Sequence, residues 1–215
     1  LLDDSCQDST MPDERDAFDF SVAEALRDRG FWFISIGHAL ALLVVVSLIV
    51  HLVPHLVRGL GWSETSAQLL FTVITITSVL GQIIGGVLGD RYNKSKVAAG
   101  CMLGHASAMM ILAFTESVPV VFGAAVLHGL CWGMRGPLMM AIRADFYGRK
   151  NFATIAGFST AIVMVGPLFG PAFAGAMSDF FGNYTGAFLI LGMLTGVGSV
   201  FFLMARNPRL FTPGG

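Results

Sequence analysis

The sequence predicts an all-α membrane protein of six transmembrane helices, and three observations carry that reading. Hydrophobic residues make up 54% of the chain and charged residues only 13%, against about 25% charged in a soluble domain, so a water-facing surface could not be covered. Long uncharged runs, such as 65–89 and 97–115, each meet the roughly 20 apolar residues that a helical span requires. The runs are separated by short charged turns, and Lys and Arg concentrate in alternate ones.

Residues 1–29 hold nine of the fourteen carboxylates and read as an acidic cytoplasmic linker, unstructured up to about Asp16 for want of apolar area. Ser21 and Glu24 fit a capping box, which predicts a short interfacial helix over 22–29. Spans are then expected at 31–56, 65–89, 97–115, 118–141, 153–177 and 185–205 within a transmembrane domain of 30–206, followed by a cytoplasmic tail, 207–215. Phe31-Trp32-Phe33 is placed at headgroup level, Pro119 in the first turn of the fourth span, and Asn151 as the cap of the fifth. Eleven Lys or Arg fall on one side (15, 27, 29, 91, 94, 96, 143, 149, 150, 206 and 209) and Arg58 alone on the other. The positive-inside rule therefore puts both termini in the cytoplasm of a cell membrane. Cys6, Cys101 and Cys131 show no disulfide or zinc spacing, so no cofactor or metal is expected.

The basic turn resembles the signature loop of the major facilitator superfamily, G-x-L-x-D-R-x-x-K-x-K, through Gly86, Leu88, Asp90, Arg91, Lys94 and Lys96. That family places this loop between the second and third helices of a six-helix half, as it falls here. Asp145-Phe-Tyr-Gly-Arg-Lys-Asn-Phe152, Phe31-Trp32 and Gly182-Asn-Tyr-Thr-Gly-Ala-Phe188 are similar to the monocarboxylate and oxalate/formate branch. The likeness spans about Ser21 to Arg209. It implies one half of a major-facilitator-type bundle, a 3+3 inverted repeat. The chain, which starts at Leu1 rather than Met, is expected to be a piece, the C-terminal half of a twelve-helix transporter whose N-terminal half is absent. It would move a small organic anion such as a monocarboxylate, with protons or by exchange, through alternating access. In this family the loop latches the halves together, which gives Gly86, Asp90, Arg91 and Lys94 a gating role; surface charges that only set topology are the other reading. The oxalate/formate branch uses cations on the second and fifth helices of this half, and this chain has none there.

Arg135 is the sharpest single residue. A guanidinium at its depth in the fourth span costs at least ~2.5 kcal/mol unless it faces protein or a water-filled cavity. His128, Cys131 or Trp132, Arg135 and Met139 recur at helical spacing and form one stripe. Arg135 is therefore expected to bind an anion with Trp132 beside it, and His128 to couple protons. The alternative is an arginine that snorkels to cytoplasmic headgroups about six residues away, or that pairs structurally. Gln82 and the hydroxyls of Thr72, Thr75, Thr77 and Ser78 give the second span a polar side, lining a pathway or bonding along the helix. His51 and His55 read as interfacial or pore-mouth residues, and His105 as a packing or hydrogen-bonded histidine. Gly81, Gly85 and Gly89 share a face that lets helices approach. Gly166-Pro167 and Gly170-Pro171 mark a fifth span able to bend.

Other classes fit less well. No P-loop occurs, Gly157-Phe-Ser-Thr160 and Val87-Leu-Gly-Asp90 each lack a residue that an intramembrane protease needs, and nothing suggests a nucleic-acid partner. A non-transporting receptor or scaffold on the same fold is the standing alternative.

Overall fold

The structure is a computed structural model that describes residues 19–208; the sequence readings that concern the rest of the acidic leader, Cys6 and the end of the tail lie outside it. The described residues form eight α-helices and one π turn: α1 Val22–Arg27, α2 Arg29–Pro54, the π turn His55–Gly59, α3 Glu64–Arg91, α4 Lys94–Phe114, α5 Val118–Tyr147, α6 Phe152–Val163, α7 Val165–Phe181 and α8 Thr185–Met204. Six helical stretches are long and apolar enough to cross a membrane: Arg29–Gly59, Glu64–Arg91, Lys94–Phe114, Val118–Tyr147, Phe152–Phe181 and Thr185–Met204. Each expected span is present.

The boundaries correct the sequence reading at several points, among them the end of the fifth span, which runs to Phe181 rather than 177. The short helix stops at Arg27 rather than 29, because Asp28 turns extended (φ −75°, ψ 132°) and becomes the cap between α1 and α2. Its start is as expected: Ser21 Oγ accepts from Glu24 N and Glu24 Oε2 accepts from Ser21 N at 2.8 Å. The first span continues beyond 56, since Pro54 cannot donate to the carbonyl four residues back and the chain passes into a π turn to Gly59. The fourth span runs on to Tyr147, six residues past 141. Asn151 occupies the N-cap position of the fifth span, as expected, but its side chain makes no capping bond and donates instead to Phe20 O at 2.9 Å, tying the leader to that end of the bundle.

The fifth span is broken, and proline supplies the reason. Pro167 has no N–H for the Val163 carbonyl and its ring crowds that carbonyl, and the helix divides at Met164 (φ −65°, ψ −15°). The neighbouring glycines serve contact: a methyl on Gly166 would lie 2.8 Å from Leu43 N of α2, and one on Gly170 would meet Ser47 Oγ at 2.6 Å. The α3–α5 seam is built alike, with Gly81 and Gly85 against the α5 backbone and Gly133 against that of α3. Helices α3 and α5 pair closely, as do α2 and α7, while α4 pairs with α8. Exchanging each span with the one three places on maps the first pairing onto the second and the third onto itself, as a 3+3 repeat requires.

Two apolar cores result. One gathers Leu48, Leu52, Leu70, Ile74, Leu112 and Phe188; the other gathers Phe31, Ile34, Met102, Leu138, Ile142 and Phe202. Along α4, α5 and α8 the residues between the two cores include His105, His128, Cys131, Arg135, Thr195 and Ser199, all buried. A polar layer thus crosses the middle of the bundle.

Candidate functional site

Helix α5 supplies the centre of that layer. His128, Cys131, Arg135 and Met139 are all buried, so the stripe read from helical spacing faces inward. Arg135 is 1% exposed, and its Nε and Nη1 have no hydrogen-bond partner among the described residues. The helix runs on to Tyr147, twelve residues or ~18 Å further at 1.5 Å per residue, and the Arg135 side chain is enclosed by the bundle. Two residues on, Pro137 lies inside the helix and leaves the Gly133 carbonyl without its usual donor. The sequence reading passed over Pro137, although Gly136-Pro137 repeats the dipeptide it noticed in the fifth span.

Around Arg135 stand groups from three helices. Its charge acts on His38 of α2, on Cys101 and His105 of α4, and on His128 and Cys131 of its own helix. His105 Nδ1 and His128 Nδ1 meet at 3.2 Å, their rings edge-on with centroids 4.5 Å apart, and His105 Nε2 has no partner. One nitrogen of the pair donates and the other must offer a lone pair, so at most one ring is cationic. Two buried thiols, Cys101 of α4 and Cys131 of α5, lie close enough to interact beside this pair. His105, read as a packing or hydrogen-bonded histidine, is hydrogen-bonded to His128 and so stands beside Arg135 in this layer. Its pairing with His128 has no signature in spacing, because the two residues sit on different helices.

Other expected site residues lie elsewhere. Trp132 is half-buried against the first core. Gln82 is exposed on α3, flanking the Gly81 and Gly85 seam, where its backbone N faces Gly133 of α5. The α3 hydroxyls bond along their own helix, Thr72 to Gln68 O, Thr75 to Phe71 O and Thr77 to Val73 O, which decides one of the two readings given above. His51 and His55 are not open pore-mouth groups. His51 Nε2 contacts Pro171 O at 2.8 Å and its Nδ1 the Tyr184 hydroxyl at 3.2 Å, while buried His55 reaches Leu112 O at 3.2 Å. They staple α2 to α7, α8 and α4. Among the described residues no His, Cys, Asp or Glu group has metal-binding geometry.

The basic turn is exposed at Asp90 and Arg91. Gly86 has open space around it. Lys94 pairs with Asp145 of α5 at 2.8 Å, so the turn is fastened to the end of the fourth span. Gly166, Pro167, Gly170 and Pro171 border α2, as described above.

Arg143 is the larger correction. Counted with the cytoplasmic surface charges, it is instead 4% exposed within the bundle. Its Nε donates to Ser159 Oγ at 3.0 Å, Nη1 to Met139 O at 3.2 Å and Nη2 to His38 Nδ1 at 3.1 Å. Only the extra length of α5 reveals this, and the sequence ended that span at 141.

Comparison with known proteins agrees with this architecture. Residues 34–213 match the family model of the Major Facilitator Superfamily. Monocarboxylate transporter 13 of Bos taurus is 30% identical over 153 residues, 70% of this chain and 35% of its own length. The benzoate transport protein of Acinetobacter baylyi is 23% identical over 171 residues, 80% of this chain and 37% of its own. The crystal structure of the fucose:proton symporter of E. coli superposes with a TM-score of 0.72 at 19% identity, over 86% of this chain and 46% of that one, a likeness of fold. The chain thus spans little more than a third of the curated relatives it matches. With six apolar helices, the inverted repeat, the signature loop and a family match over most of its length, this chain belongs to the major facilitator superfamily, a family of multi-pass membrane transporters rather than enzymes.

Proposed function

We propose that this chain forms the C-terminal six-helix half of a twelve-helix secondary transporter that moves a small organic anion, such as a monocarboxylate, by alternating access. The two halves would rock about a site near the bilayer midplane, with both termini of this half in the cytoplasm of the cell membrane. The single observation that carries the anion reading is the Arg135 guanidinium, buried with Nε and Nη1 unpartnered among the described residues. Leaving such donors unmet costs more than leaving a neutral group unmet, and an anionic carboxylate forms charge-assisted hydrogen bonds with guanidinium N–H groups. Relatives named as transporters of monocarboxylates and of benzoate support the same class.

His128 and His105 would supply the polar wall beside the cation, with Trp132 and Gln82 contributing to the substrate path. Asp90, Arg91, Lys94 and Gly86 would gate the cytoplasmic end. Gly166, Pro167, Gly170 and Pro171 would provide the bend at Met164. The test is uptake of radiolabelled lactate, pyruvate and benzoate by the full-length protein in proteoliposomes. Arg135→Ala is expected to abolish uptake while the protein still inserts; uptake at wild-type affinity would refute the assignment. Binding without flux in the wild type would instead indicate the receptor or scaffold on this fold.

A further inference from the structure

The polar groups around Arg143 have a defined direction of hydrogen bonding. Ser35 Oγ donates to Phe31 O at 2.7 Å, which uses its only proton. The 2.8 Å contact between Ser35 and Ser159 must then be donated by Ser159. Ser159 in turn accepts from Arg143 Nε at 3.0 Å. A one-way relay runs from Arg143 of α5 through Ser159 of α6 to Ser35 and Phe31 of α2. The same guanidinium donates from Nη2 to His38 Nδ1 at 3.1 Å. Arginine has no acceptor, so His38 Nδ1 carries a lone pair here and the ring is neutral, with its proton on Nε2.

We propose that His38 is a proton-binding residue of this transporter: a proton on Nδ1 removes the acceptor that Arg143 uses and releases the tether joining the first, fourth and fifth spans. Protonation and tether exclude each other, because a protonated imidazole has two donors and no acceptor and would face a guanidinium at contact. The proton comes from water that reaches the site when the three helices part, and returns to water when they close. The charged groups acting on His38 are Arg143 and Arg135, both from α5; α6 offers Ser159, and no described carboxylate acts on the ring. Linkage then sets the sign: acid favours the untied state, by up to about tenfold for each pH unit below the pKa of the untied histidine. His38 rather than His128 is assigned this part because its nitrogen partner bridges separate spans at the edge of a break-prone helix. The proposal does not rest on the anion reading and needs no substrate.

The test uses the full-length protein in lipid nanodiscs. Histidine ¹⁵N spectra of the wild type are expected to show His38 as the neutral Nε2–H tautomer at about pH 8. Amide exchange in residues 29–40 and 152–163, corrected for intrinsic rates, is expected to rise about tenfold per unit on acidification. His38→Gln, whose carbonyl can still accept from Arg143, should make that exchange independent of pH, and Ser159→Ala should raise it at every pH. A wild-type His38 carrying its proton on Nδ1 at high pH would overturn the proposal without recourse to any variant. So would an unchanged pH response in His38→Gln or a flat response in the wild type.

Discussion

Arg135 and Arg143 lie two turns apart on one helix, both buried, and they differ in company. Arg143 has each of its nitrogens engaged: a serine hydroxyl, a backbone carbonyl and an imidazole. Arg135 keeps two unengaged among the described residues, in a layer of histidines and thiols between two apolar cores. The difference is what the anion proposal rests on. A buried cation whose hydrogen bonds are met ties helices together; one whose donors are unmet is costly to the fold, and we propose that this cost is met by a ligand.

Exchanging each arginine for methionine, which conserves much of the volume, should give opposite results. Arg135→Met removes an unmet buried charge. It should abolish anion uptake yet leave the protein equally stable or more stable, by about 1–3 kcal/mol, as read from thermal unfolding and transport on one preparation. Arg143→Met should cost about 2–4 kcal/mol, since it leaves Ser159 and His38 without their partner and breaks the relay. Ser159→Ala removes the middle of that relay and should cost about 1 kcal/mol. Substitution in the glycine seam sharpens the contrast from another side. Gly85→Leu would drive a side chain into the Met134 backbone of α5 and should reduce insertion of the folded protein, without selectivity for charge.

The smallest effect lies outside the membrane. Glu24 is held below its usual value of 4.5, first by the Ser21 backbone and side-chain bonds of the capping box and then by Arg27. A depressed carboxylate stabilises the folded form above its ordinary pKa and loses that contribution as pH falls through the lower, folded value. Exchange in residues 20–28 should therefore rise in acid for the wild type and stay level in Glu24→Gln, which retains a capping acceptor.

The sequence made the architecture legible because spans, turns and their charge depend on runs of many residues. It also put Arg135 on a single face with His128 and Met139, since helical spacing is a local property. What escaped it was tertiary. The partnership of His105 with His128, of Cys101 with Cys131, and of Arg143 with His38 and Ser159 each joins separate helices. No spacing within one helix encodes such pairs. The end of the fourth span was missed for a related reason: Arg143 and Asp145 look like turn charges to a hydropathy count, although one is tied into the bundle and the other fastens the basic turn through Lys94.

The central claim is that Arg135 is held without partners for an anion. It is tested most directly by thermal unfolding of the full-length protein in nanodiscs, with sodium benzoate, lactate and pyruvate as probes and benzyl alcohol as the neutral control. Wild type should be stabilised by a carboxylate and not by the alcohol, while Arg135→Met should unfold at an equal or higher temperature and ignore every carboxylate. An Arg135→Met protein that is less stable than wild type, or that is stabilised by the same carboxylate to the same degree, would contradict it.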